Sequence, residues 1–243
     1  MGAARPGGRA AMDTGQIKPL RGLAMRAILV LNAKGGSGKT TVATNLAGYY
    51  AAEGAKVVLA DYDPQGSSMD WLRQRGANAA KIGAVDAAAG ALRVPRSTDV
   101  VILDAPAGTH GDILATLLRK AHTAIVPVVP SPVDIRAAQR FFGELREVRP
   151  LVDNDVKICT VASRVRDGAR TSDDLEDFLM DQKLPSGRRF PFLTWLRQST
   201  AYLKAAEKGL SIFELPPSQG AVDREYWVPL LKWLASPRSL PEG

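Results

Sequence analysis

The segment Ala33-Lys34-Gly35-Gly36-Ser37-Gly38-Lys39-Thr40-Thr41 narrows what this chain can fold into more than any other stretch. It follows a short, nearly continuous apolar run, residues 26–32 (RAILVLN). Apolar positions then recur at Ala43, Leu46, Ala47 and Tyr50, the spacing of one helix face. Strand, glycine loop and helix in that order are the context in which Gly-x-x-x-x-Gly-Lys-Ser/Thr holds a phosphate chain. Ala33 takes the first glycine slot, and Gly38, Lys39 and Thr40 close the pattern. Glycines let backbone N–H groups turn inward around the phosphates, and the helix N-terminus adds its dipole. Lys39 is expected to reach the β and γ phosphates and the Thr40 hydroxyl to bind magnesium. The nucleotide-binding set is therefore Gly35, Gly36, Ser37, Gly38, Lys39, Thr40 and Thr41, with ATP and Mg2+ as cofactors.

Further apolar runs of strand length lie at 56–61 (KVVLAD), 99–104 (DVVILD), 123–129 (TAIVPVV) and 156–162 (VKICTVA). Helical patterns fall between them, including 113–120 and 135–148. Alternation of strand and helix predicts an α/β fold of P-loop NTPase type: a doubly wound, mostly parallel sheet with helices on both faces. No internal repeat or linker interrupts residues 25–237, which we take as one ATPase domain. Residues 1–24, rich in Gly, Ala, Pro and Arg, are expected to be a disordered arm or a start-site or cloning extension, and 238–243 a tail.

Three carboxylates should meet at one sheet edge, because ligands bind outside the carboxyl ends of parallel strands. Asp104 ends VVILD and is placed to hold a magnesium-bound water. Asp61 and Asp63 end the second run in Asp61-Tyr62-Asp63-Pro64-Gln65-Gly66. One of them can orient, or take a proton from, an attacking water. Taken alone, Asp-Pro and Gln-Gly are turn signals.

KGGSGKTT, DYDPQGSS and VVILDAPAG, in this order and spacing, resemble the ParA/MinD type of deviant Walker ATPases over residues from about 25 to 233. The resemblance implies that Lys34 is a signature lysine reaching across a homodimer interface to the partner's nucleotide. It implies that Asp63 activates the hydrolytic water and that Asp61 is a magnesium-shell carboxylate. The catalytic set is then Lys34, Lys39 and Asp63, and the metal set Thr40, Asp61 and Asp104. DPQG points to the ParA branch. The resemblance also places Pro216, in Leu215-Pro216-Pro217-Ser218, where the family wraps the adenine. Ser163-Arg164 departs from the Asn-Arg common at the base-binding strand end. The related nitrogenase iron-protein scheme needs two cluster cysteines per subunit, and this chain has one, Cys159.

The net charge is +7, but four cations against one carboxylate in residues 1–24 leave only +4 for the rest. Residues 182–206 hold Lys183, Arg188, Arg189, Arg197 and Lys204 and no acid, and Arg164, Arg166 and Arg170 lie just upstream. Such cations can displace counterions from DNA phosphates. With the resemblance, they make Arg164, Arg188, Arg189, Arg197 and Lys204 a candidate face for non-specific DNA. The aromatic segment Tyr226-Trp227-Val228-Pro229-Leu230-Leu231-Lys232-Trp233-Leu234 carries one lysine, too few for the basic face of a membrane-lying helix. We expect a closing helix packed on the sheet, and His110 and His122 show no ligand spacing.

The expectation that follows is a cytoplasmic, nucleoid-associated ATPase switch. An ATP-bound sandwich dimer would bind DNA and position a plasmid, chromosome locus, carboxysome or chemoreceptor cluster, with hydrolysis stimulated by a ParB-like or cargo-adaptor protein. A MinD-like membrane switch is the alternative, and a nucleotide-binding regulatory subunit with little turnover is a third.

Overall fold

In the computed structural model, residues 25–166 and 168–241 are described; the expected arm at 1–24 lies outside them, as do the last two residues of the expected tail. Seven strands form one sheet: β1 (Arg26–Val30), β2 (Val57–Asp61), β3 (Ile82–Asp86), β4 (Val100–Asp104), β5 (Thr123–Val128), β6 (Lys157–Val165) and β7 (Phe192–Arg197). Their order is β3-β2-β4-β1-β5-β6-β7, and every pairing is parallel. The chain therefore winds outward both ways from β1, and all seven carboxyl ends fall on one edge. The sheet is wholly parallel where the sequence led us to expect a mostly parallel one.

Nine helices cover the two faces among the described residues: α1 (Lys39–Ala52), α2 (Ser67–Arg73), α3 (Gly111–Leu118), α4 (Pro132–Leu145), α5 (Arg149–Val152), α6 (Arg170–Asp181), α7 (Thr200–Ala206), α8 (Pro217–Glu225) and α9 (Val228–Leu234). Period-two alternation along β1 divides the core. Leu29 and Leu31 join a cluster with Phe141, Phe142 and Trp195 on one face. Ile28 and Val30 join α1, Trp71, Ile212 and Trp227 on the other. Burial on both faces explains why the central strands read as continuous apolar runs.

One expectation changes. The sequence suggested a single apolar face on α1, yet Val42 through Ala51 is buried all round. The reason is the 209–215 loop, which lies over the helix side away from the sheet. Ile212 N donates to Asn45 Oδ1 at 2.8 Å, and Ser211 packs so closely on Gly48 that a Cβ there would stand 2.4 Å from its Oγ.

Two strands escaped the sequence reading. β3 is an edge strand with mostly exposed residues, and β7 follows an irregular pairing to β6. The aromatic C-terminal segment does form a closing helix. Val228, Leu230, Leu231 and Leu234 of α9 are buried, and Trp227 beside them is fully covered. Past it, the buried Arg26 guanidinium donates to Ser239 Oγ at 2.7 Å, and Thr123 Oγ1 donates to the Ser239 carbonyl at 2.5 Å. Residues Pro237–Ser239 are thereby pinned to the amino edge of β1 and β5.

Candidate nucleotide site

The loop between β1 and α1 is built on the carboxyl edge. Asn32 is buried and braces it: its Nδ2 donates to the Pro127 carbonyl at 2.7 Å, and its Oδ1 accepts from Lys34 N at 2.9 Å. Gly36 and Gly38 adopt φ of 77° and 95°, a region costly for side-chain-bearing residues. Gly38 has a second reason to be glycine: a Cβ there would meet Ser163 Oγ at 2.4 Å. Ser163, at the end of β6, thus lies against the phosphate loop rather than out toward a base.

Lys39 opens α1 and is only 7% exposed. Its Nζ donates to the Lys34 carbonyl at 3.3 Å, across the loop. Burial lowers its pKa, and the nearby Asp104 and Asp63 charges oppose that fall. A desolvated ammonium held inside a ring of backbone amides fits a polyphosphate.

The three carboxylates converge as expected, with different duties. Asp104 is buried, and its Oδ2 accepts from Thr40 Oγ1 at 2.8 Å and Ser68 Oγ at 2.7 Å. Its Oδ1 has no hydrogen-bond partner although it is buried, an arrangement costing about 1–3 kcal/mol. Burial pushes its pKa up to about 7, against the two hydroxyl bonds and the Lys39 charge. Asp61, also raised by burial, spends both oxygens on backbone: Oδ1 accepts from Asp63 N, and Oδ2 from Ser68 N and Met69 N. Its immediate role is to anchor the first turn of α2. Asp63 is half-buried; Oδ1 accepts from Gln65 N at 3.0 Å and Oδ2 lies 3.4 Å from Ala107 N.

These residues fit Mg2+ with ATP. A hydroxyl and a carboxylate in contact, with one buried carboxylate oxygen unpartnered, form the donor set of a phosphate-loop magnesium site. No cluster of three His, Cys, Asp or Glu able to hold a metal occurs among the described residues. Magnesium does not need one, since it keeps waters and takes phosphate oxygens.

Lys34 is half-exposed, and its Nζ lies 3.6 Å from Asp134 Oδ1 in the first turn of α4. Ser131 caps that turn, its Oγ accepting from Asp134 N at 3.1 Å. Pro216, exposed at the start of α8, ends the loop that covers α1. Asn32, Ser68 and Asp134 are contributors that sequence reasoning missed. Ser68 lay inside the quoted DPQGSS, but only the fold puts its hydroxyl on Asp104.

A family model described as CobQ/CobB/MinD/ParA nucleotide binding domain matches residues 28–212. The chain belongs to that family. Among curated relatives, a maintenance of carboxysome distribution protein A from Gloeobacter kilaueensis is 36% identical over 114 residues, 45% of this chain and 52% of that protein. Against this relative the chain matches about half the length. A protein of the same description from Halothiobacillus neapolitanus is 25% identical over 194 residues, covering 77% and 87% of the two chains. The chromosome-partitioning ATPase Soj of Thermus thermophilus is 29% identical over 178 residues, covering 59% and 71%. The solved Cyanothece McdA–ATP complex superposes over 86% of this chain and 97% of that one, with TM-score 0.63 at 17% identity, a likeness of fold. The matched nucleotide binding domain spans the loop that carries Lys39 and Thr40 and the strand end at Asp104.

The candidate DNA cations are not brought together. Arg164 sits exposed at the carboxyl end of β6 with a left-handed φ of 55°, and Lys204 is exposed on α7, which follows the carboxyl end of β7. Arg188 and Arg189 precede β7, at the opposite, amino edge. Arg197 is not displayed: its Nε lies 3.7 Å from the buried Asp223 Oδ1, and its guanidinium stacks over Tyr226 at 5.7 Å. Consecutive cations were separated because a strand carries the chain from one edge to the other.

Proposed function

We propose that this ATPase is a positioning switch of the ParA branch. ATP closes two copies face to face at their carboxyl edges, the dimer holds non-specific DNA, and an adaptor protein stimulates hydrolysis and release. The observation that carries this reading is Lys34. It stands at the mouth of the loop, half-exposed, with its Nζ directed to Asp134, while the buried Lys39 Nζ donates to the Lys34 carbonyl across the loop. A cation so placed can reach phosphate oxygens of a second copy across a two-fold axis.

The chemistry assigned to each group follows from its surroundings. Magnesium, when bound, polarises the phosphoryl oxygens and neutralises developing charge. Lys39 stabilises the β–γ bridge as it breaks. Asp63, the least buried of the three acids, orients the attacking water. Ser68 and Thr40 keep Asp104 aimed, and Asp61 holds α2 against the site.

For cargo, the relatives named for carboxysome distribution favour a protein microcompartment, with a chromosome locus next. We assign DNA contact to Arg164 and Lys204, beside the dimerising edge, and place the protein on the nucleoid in the cytoplasm. The domain is taken as residues 25–237, extended by the Pro237–Ser239 turn. Against the membrane alternative, α9 buries Val228, Leu230, Leu231 and Leu234 in the core, which leaves it poorly suited to lie on a membrane.

The test is mass and DNA retention together. Light scattering should show a monomer becoming a dimer only with ATP and Mg2+, and that dimer should shift duplex DNA. Arg164→Glu with Lys204→Glu should leave dimerisation intact and lower the salt dependence of log affinity by a slope of about 2. A monomer at saturating ATP rejects the switch; pelleting with anionic liposomes but not DNA returns the membrane reading.

A further inference from the structure

At the amino edge, remote from the nucleotide, lies a groove of about 910 Å³. It is walled by the 183–191 turn before β7, the start of β6, α9 and the C-terminal turn. Lys157, Arg188, Arg189 and Arg238 line it, and no carboxylate does so among the described residues. Arg188 and Arg189 are exposed and form no ion pair with any described residue. Between these cations, Phe192, Trp233 and Leu240 form an apolar floor, and Val152, 50% exposed, stands at the lip.

We propose that this groove docks an acidic, apolar-bearing segment of a partner protein. Two features select that occupant. Arg188, Arg189 and Arg238, with no lining acid among the described residues, call for a negative ligand. The aromatic floor adds nothing to phosphate contacts, which are made by charged and polar groups. Arginine around buried aromatics is instead the composition of protein-interface centres. Duplex DNA would span the rim cations and leave the floor uncovered. The chain's own residues 1–24 are a poor occupant, since they carry four cations against one acid. The inference goes beyond the proposed switch and does not depend on it. The groove stays open whether or not two copies meet at the opposite edge, so a dimer would offer one on each outer end.

The probe is a short fluorescein-labelled synthetic peptide of Glu, Leu and Phe in helical repeat, titrated with the full chain and followed by anisotropy. Saturable binding is expected, weakening as salt rises. Arg188→Glu with Arg189→Glu should cost about tenfold or more in affinity. Val152→Asp, which replaces no cation, should also weaken it, and it keeps the test alive if the double variant fails to fold. ATP binding equal to that of the unmutated chain establishes that each variant is folded. A version with Lys in place of Glu should not bind. The proposal is overturned if the acidic peptide does not saturate, or if neither variant weakens it. It is equally overturned if the double reversal abolishes duplex retention while peptide binding is unchanged, which would make this a DNA face.

Discussion

Lys34 Nζ stands 3.6 Å from Asp134 Oδ1, so the first lysine of the loop is paired to α4 and not to its own phosphate ring. The pair is partly solvated and worth no more than about 1 kcal/mol, weak enough to exchange for a phosphate of a second copy. Lys34→Ala should therefore bind ATP but show no ATP-dependent dimer in light scattering, and it should lose turnover. Asp134→Ala should dimerise at up to about fivefold lower ATP, by the same energy. Normal ATP-dependent dimerisation of Lys34→Ala would sink the crossing-lysine scheme.

Lys39 is buried, and burial lowers its pKa, so the fold tolerates a desolvated cation whose cost the Asp104 and Asp63 charges offset only in part and a bound anion can offset further. Lys39→Ala should abolish ATP binding in calorimetric titration while the nucleotide-free protein melts at least as high as the original. An ATP affinity close to that of the unmutated chain contradicts the assignment.

Asp63 Oδ1 accepts only from Gln65 N at ordinary distance, and its other oxygen is loosely held at 3.4 Å from Ala107 N. It is free to serve a water. Asp63→Ala should still bind ATP, accumulate as dimer and hydrolyse slower by about a hundredfold or more, the scale of a lost general base. Turnover measured with the adaptor present decides this, and an unchanged rate moves the role elsewhere.

Asp104 supplies a pH signature. Its folded pKa, pushed up to about 7, lies above its ordinary value of 3.8, so folding favours the protonated form. This contribution to stability is full below the ordinary value and is lost as pH rises toward 7. Without nucleotide, Asp104→Asn should therefore melt higher than the original at pH 8, and the difference should shrink on acidification. With ATP the sign reverses for metal: Mg2+ needs the carboxylate, so its apparent affinity should fall by about tenfold per pH unit below 7, and Asp104→Asn should lose that dependence. A flat Mg2+ profile between pH 5.5 and 7 in the original protein argues against Asp104 as a magnesium-shell group.

Much of this site was legible in the chain alone. Glycine, lysine and threonine at fixed offsets between a buried strand and a helix leave few geometries, and the structure adopts that one. The DxD segment and VVILD reached the same edge because parallel strands share the direction of their ends. What failed was charge read along the chain. Arg188, Arg189 and Arg197 are near neighbours in sequence, yet β7 puts the first two at one edge and carries the third to the other, where Asp223 takes it. The exposed edge strand β3 escaped notice because it lacks the apolar run that marks a strand buried on both faces.

By itself the sequence determined the strand–loop–helix that carries the glycines, Lys39 and Thr40, and the alternation of strand and helix around it. These depend on contacts a few residues apart, where backbone conformation and periodicity act directly. Tertiary structure alone decided which polar groups finish the site. Ser68 reaches Asp104 over 36 residues, Ser163 fits Gly38, and Asp134 meets Lys34. It also decided where the cations face and that a cationic, aromatic-floored groove opens at the amino edge. Such relations arise where distant segments pack, and a hydroxyl or a guanidinium carries no local preference that announces its eventual neighbour.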